Sequence, residues 1–70
     1  MIDGRKLKAL REAANLTQVE LAQRVGVTHA VIVRAENSTK DLSLGVAAAV
    51  AKVLGCRIDD FIRQDGGDAE

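Results

Sequence analysis

Between Leu16 and Asn37 the chain reads LTQVELAQRVGVTHAVIVRAEN, with one helix start at Thr17, another at Thr28 and a glycine between them. Thr17 is a good N-cap, and Glu20 stands three residues after it. In that capping box each side chain satisfies a backbone donor that a helix start leaves unpaired. Leu16 can pack on Leu21 as a hydrophobic staple. Leu21, Ala22 and Val25 continue one apolar face, and Gly26 falls where helices commonly end with positive φ. The pattern then restarts, with Val27 stapling to Ile32 and Thr28 capping a helix that runs to about Asn37. Two short helices around a tight turn leave few arrangements open, because each can bury only one face.

The flanking sequence adds helices and no strand pattern. Asp3 caps a first helix whose buried stripe is Leu7, Leu10 and Ala14, with Asn15 ending it. Residues 38–42 form a polar loop. Ser43 or Asp41 caps a fourth, alanine-rich helix from about Leu44 to Leu54, ended by Gly55. In it Gly45 costs about 1 kcal/mol of helix propensity relative to Ala if interior. Residues 57–63 make a final short helix, with Ile58 and Phe61 facing the core. The expectation is all-α: a compact five-helix bundle over residues 1–64, with residues 65–70 a flexible acidic tail. A chain of 70 residues buries only around 60% of its unfolded surface, so such a core is marginal unless tightly packed or dimeric.

The stretch LTQxELAxxxGVTxxxIxRxEN resembles the helix-turn-helix of lambda-repressor/Cro-type (XRE-like) DNA-binding domains. The matching residues are Arg11, Leu16, Thr17, Gln18, Leu21, Ala22, Gly26, Val27, Thr28, Ile32, Glu36 and Asn37, and the similarity extends from about Leu7 to Ile62. The resemblance implies a DNA-binding transcriptional regulator whose second motif helix enters the major groove. It places base-reading positions on Thr28, His29, Ala30 and Arg34, with Val33 beside them. Gln18 falls on a phosphate-contacting position. Similar proteins pair the positions of Arg11 and Glu36 in a salt bridge between the first and third helices. Among such small proteins the roles that fit are a phage-type repressor, the controller of a restriction–modification operon and an antitoxin.

The residues themselves support that chemistry. On a helical wheel Val31, Ile32 and Ala35 face the core, and His29, Ala30, Val33, Arg34 and Asn37 lie broadly opposite. Val33 and Ala30 could meet thymine methyls, and Arg34 could donate to guanine O6 and N7, a contact worth ~1–3 kcal/mol of discrimination. The Gln18 amide, in the first turn of its helix, suits a phosphate oxygen. Asn37, Thr39 and Lys40 follow the third helix and can grip the same backbone. Four positions depart from the family pattern in three ways. Ser38 replaces a usual glycine, at a cost of roughly 1 kcal/mol if its φ is positive. Ala35 and Ala47 replace larger aliphatics, and Val33 replaces a commonly polar residue.

Charge is uneven although the net is zero. Residues 1–40 carry seven Lys/Arg against four Asp/Glu, and residues 41–70 three against six. The basic half is therefore the half with the motif. One copy makes few contacts, so useful affinity implies a homodimer on a palindromic operator, with half-sites ~10 bp or a multiple apart. Ile62, Val53 and Val46 are the leftover apolar residues for its interface. A protein-interaction module that keeps the fold with weak or no DNA binding stays open beside this reading, since Ala30 and Val33 would also suit a partner's groove.

Other classes find little support. His29 is the sole histidine and Cys56 the sole cysteine, too few for a metal site, and no nucleophile–base–orienter set is visible. Neither an enzyme, a cofactor nor a small-molecule ligand is expected. Cys56 reads as a core filler, and a lone cysteine fits a reducing compartment. No apolar run approaches membrane-spanning length and no signal-peptide core opens the chain, so the expected location is cytoplasmic, on nucleoid DNA of a prokaryote or phage.

Overall fold

A computed structural model describes residues 2–38 and 41–62. Four α-helices follow one another: α1 Gly4–Ala13, α2 Gln18–Val25, α3 His29–Glu36 and α4 Leu44–Leu54. A single 3-10 turn, Ile58–Phe61, comes after them. The expected fifth helix over residues 57–63 is therefore corrected to this turn. Its physical cause is length. Gly55 ends α4 at φ +70°, Arg57 is extended, and by Ile62 the backbone is extended again. Ile62 forms an antiparallel bridge with Ile2, and the Asp3 N–H donates to the Phe61 carbonyl at 2.8 Å. Only a few residues remain between those anchors, and a 3-10 turn fits that span.

The helix starts follow the expected chemistry at three of four places. Asp3 accepts from the N–H groups of Arg5 and Lys6, and Ser43 accepts from that of Val46. Asp41, the alternative cap for α4, instead accepts from the Ile2 N–H at 2.7 Å. At α2 the capping box is complete: Glu20 N–H donates to Thr17 Oγ1 at 3.0 Å, and Thr17 N–H to Glu20 Oε1 at 2.8 Å. Gly26 ends α2 at φ +89°, its N–H and that of Val27 both converging on the Ala22 carbonyl. The exception is Thr28, whose hydroxyl makes no capping bond to α3.

Phe61, Leu7, Leu21, Ile32 and Val50 fill the centre of the core, each fully buried, with Ala22, Ala35, Ala47, Ala51 and Ile2 around them. On α1 the buried stripe is Gly4, Leu7 and Arg11, flanked by half-buried Leu10. Ala14 is exposed, contrary to expectation, because the chain has already left the helix and turns through Asn15 at φ +60°. Gly4 is where α1 comes closest to α3: a Cβ there would stand 2.1 Å from the Glu36 carbonyl oxygen. Ser38 does adopt the left-handed conformation, at φ +58°, so the roughly 1 kcal/mol cost of a non-glycine residue applies. No helix among the described residues is long and apolar enough to cross a membrane.

Candidate nucleic-acid interface

The site is built where α2 and α3 meet. Burial of Ile32, Ala35 and Glu36 fixes the rotation of α3 and turns Thr28, His29, Ala30, Arg34 and Asn37 outward, all exposed. Two residues differ from the wheel. Val33 is half-buried, so less apolar surface faces water there than expected, and Val31 is half-buried and lines a shallow hollow with Arg34, Leu42 and Val46. The missing cap at Thr28 has a chemical consequence. The Thr17 hydroxyl is committed to its own helix, while the Thr28 hydroxyl stands exposed at the start of α3 with no helix donor to satisfy. A hydroxyl can both donate to and accept from a base edge or phosphate.

Behind this face runs a polar chain. Arg11 Nε donates to Glu36 Oε2 at 2.6 Å, and a terminal nitrogen of Arg11 donates to Glu36 Oε1 at 3.2 Å. The other terminal nitrogen donates to the Leu16 carbonyl at 2.7 Å. All three arms of the guanidinium are thus used inside the protein, and the pair is nearly dry, with side-chain exposures of 9% and 2%. The hydrogen bond to Glu36 outweighs burial and raises the Arg11 pKa further above its ordinary value, so this cation stays charged. Glu36 Oε1 also accepts from Gln18 Nε2 at 3.0 Å, and Gln18 Oε1 lies 3.3 Å from His29 Nε2. One bonded series therefore crosses from α1 through α3 to the first turn of α2 and back to the exposed start of α3. Sequence reading singled out all four residues and, by resemblance, the Arg11–Glu36 pair, but not the links through Gln18 to His29.

Gln18 is half-buried, and only one of its two amide hydrogens goes to Glu36. The second, with the N–H groups of the first turn of α2, can meet an anion. Asn37 is exposed at the end of α3; Thr39 and Lys40 lie outside the described residues, as do Arg63 and the tail expected over residues 65–70.

The proposed interface residues do not gather in one place. Ile62 lines a groove with Ile2, Leu42, Leu44, Ala47 and Ile58. Val46 sits in the other hollow, beside Arg34, and half-buried Val53 lines neither. Leu44, absent from the sequence expectation, is 77% exposed at the edge of the groove. The signal was present: Leu44 lies on the same helical stripe as Ala47 and Ala51, but as the first residue of α4 it overhangs the core. Cys56 is half-buried, and burial raises its thiol pKa, with the nearby Asp60 charge adding to that. Among the described residues, no group of three or more His, Cys, Asp or Glu side chains could hold a metal ion.

Comparison with known proteins places this geometry among relatives. The helix-turn-helix family profile matches residues 7–61. An HTH-type transcriptional regulator of Methanocaldococcus jannaschii is 43% identical over 61 residues, which cover 86% of this chain and 92% of that protein. The P22 c2 repressor, solved in complex with a synthetic operator, superposes with a TM-score of 0.83 at 26% identity over 93% of this chain and 98% of its own. A restriction–modification controller protein of Aeromonas hydrophila gives a TM-score of 0.79 at 25% identity, over 84% and 89% of the two chains.

Proposed function

This chain belongs to the helix-turn-helix family of XRE type, a family of DNA-binding transcriptional regulators, and from that premise we propose that it reads a palindromic operator as a homodimer, with α3 in the major groove. The observation that carries the proposal is the outward row of Thr28, His29, Ala30 and Arg34 on a helix whose opposite face is locked by Ile32, Ala35 and Glu36. Arg34 donates to guanine, Ala30 and the exposed part of Val33 meet thymine methyls, and Thr28 and His29 meet base edges or the nearby backbone. Gln18 gives its second amide hydrogen to a phosphate, and Asn37, with Thr39 and Lys40 after it, grips the backbone at the far end of α3. Residues 1–64 form this unit, with residues 65–70 as a tail beyond it.

The second copy docks through the groove that carries Ile62 and Leu44, with Val46 and Val53 outside the centre of the contact. An exposed leucine beside a largely apolar groove, with Asp41 on its wall, lets each copy offer both knob and hole, as a two-fold interface requires.

Selection of duplexes from a random library, run in parallel with wild type and Arg34→Ala, tests the reading. The wild type is expected to enrich a pseudo-palindrome, and the variant to lose preference at one symmetric base pair. Binding should also weaken steeply with added salt through counterion release. Absence of any enrichment at low salt would sink the proposal. The homodimer is tested separately by light scattering across a concentration series, where Leu44→Asp is expected to remain monomeric under conditions that dimerise the wild type.

A further inference from the structure

The bonded series behind α3 has a direction, and that direction is set at its far end. A guanidinium only donates, and a carboxylate only accepts. Arg11 holds both oxygens of Glu36, so Glu36 must accept from Gln18 as well, and Gln18 must turn its NH2 group toward it. The reversed amide would set two oxygens against each other. With Nε2 so placed, the atom that Gln18 offers to His29 is Oε1, which needs a donor. His29 Nε2 therefore carries hydrogen. In a neutral imidazole only one nitrogen does, so Nδ1 is left as a bare lone pair. His29 is exposed, and its ring has no other hydrogen bond among the described residues.

We propose that this relay fixes His29 as a hydrogen-bond acceptor on the reading face, so that it selects a base with a major-groove amino group, adenine or cytosine, on the strand it contacts. In the major groove only adenine N6 and cytosine N4 donate, whereas guanine and thymine present acceptors alone. Arg11 is then a positioning residue for recognition as well as a structural one: through Glu36 and Gln18 it decides which hydrogen the His29 ring holds. The inference rests on the DNA-reading role of α3 proposed above.

Two measurements test it and separate its failure from that of the wider reading. His29 is the only histidine, so a nitrogen-15 spectrum contains the ring signals of one residue. At about pH 8.5, above the range in which histidines ordinarily titrate, the wild type is expected to show a protonated Nε2 and a bare Nδ1. Gln18→Met, of similar length and without donors or acceptors of comparable strength, should move both signals toward those of exchanging tautomers. A protonated Nδ1 in the wild type, or identical spectra for the two proteins, overturns the proposal.

The second measurement is duplex selection at the same pH with wild type, Gln18→Met and His29→Ala. One symmetric position is expected to favour adenine or cytosine by roughly three- to tenfold, the scale of one net hydrogen bond. That preference should vanish in His29→Ala. It should flatten in Gln18→Met while the remaining positions keep their order, even though overall affinity falls with the phosphate contact. A His29-dependent position that groups the base pairs in any way other than A·T with C·G against T·A with G·C, no such position, or an unchanged preference in Gln18→Met each overturns the proposal. If no duplex is enriched, the DNA reading itself falls and takes this inference with it. If duplexes are enriched but the ring or the base preference fails, only the relay is wrong.

Discussion

Two helices of this protein begin with a glycine near their first residue, and the two could hardly differ more. Gly4 opens α1 against the end of α3, where any side chain would collide with the carbonyls of Ala35 and Glu36. Gly45 sits in the first turn of α4, with nothing within 4 Å of the place its Cβ would occupy. Around Gly4 the junction is over-determined: a backbone close approach, a dry ion pair and the Gln18 amide all specify one geometry. Around Gly45 the helix is specified by its Ser43 cap, and its neighbour Leu44 is left in water. The same residue type thus marks the tightest and one of the loosest places in the fold. What separates them is the tertiary neighbour.

Substitutions test this contrast directly. The largest effect is expected from Glu36→Ala, which strands the Arg11 guanidinium without its partner; urea unfolding should report a loss of about 3–5 kcal/mol. Gly4→Ala should cost about 1–3 kcal/mol by the same measurement, because the obstructing atoms are backbone and cannot swing aside. Gly45→Ala should act in the opposite direction. It adds helix propensity in open space and should stabilise by about 0.4–1 kcal/mol. If Gly4→Ala proved neutral or Gly45→Ala destabilising, the comparison would collapse.

The smallest effect belongs to a third helix start, at α2. Hydrogen bonds from the Thr17 N–H and then the Thr17 side chain hold the Glu20 carboxyl below its ordinary pKa, with Arg24 adding a little. A carboxyl whose folded pKa is depressed contributes stability above its unfolded value. That contribution fades as pH falls from about 4.3 through the lower folded value. Glu20→Gln should therefore remove a shallow acid slope from the unfolding curve by lowering neutral-pH stability slightly, toward the value the wild type keeps in acid.

The contrast also explains how much was legible beforehand. The ends of α2 and α4 could be read because caps and left-handed glycines act within a few residues: Thr17 with Glu20, Gly26, Ser43 and Gly55. The Arg11–Glu36 pair could be named only through resemblance, since nothing local joins residues 25 apart. Gly4 carried no local sign of its burial. The helix expected over residues 57–63 gives way to a turn because the pairing of Ile62 with Ile2, which ends it early, joins residues far apart in the sequence. Of the candidate site, the outward residues of α3 followed from periodicity. Their linkage to Gln18 depended on side-chain orientation, which spacing does not encode, and Thr28 shows that a good capping residue need not cap.

The contact of Ile2 with Ile62 and Asp41 has a practical side. It brings the beginning of the described backbone to the groove that holds Leu44. A purification tag placed ahead of Ile2 would therefore emerge beside the surface assigned to the second copy, far along the chain from α3. Such a tag obstructs assembly sterically, and because Gly4 stands against Glu36 it lies by the end of α3 rather than by the reading positions at its start. A tagged preparation and a cleaved one would then differ in cooperativity on a two-site duplex but agree on a single half-site.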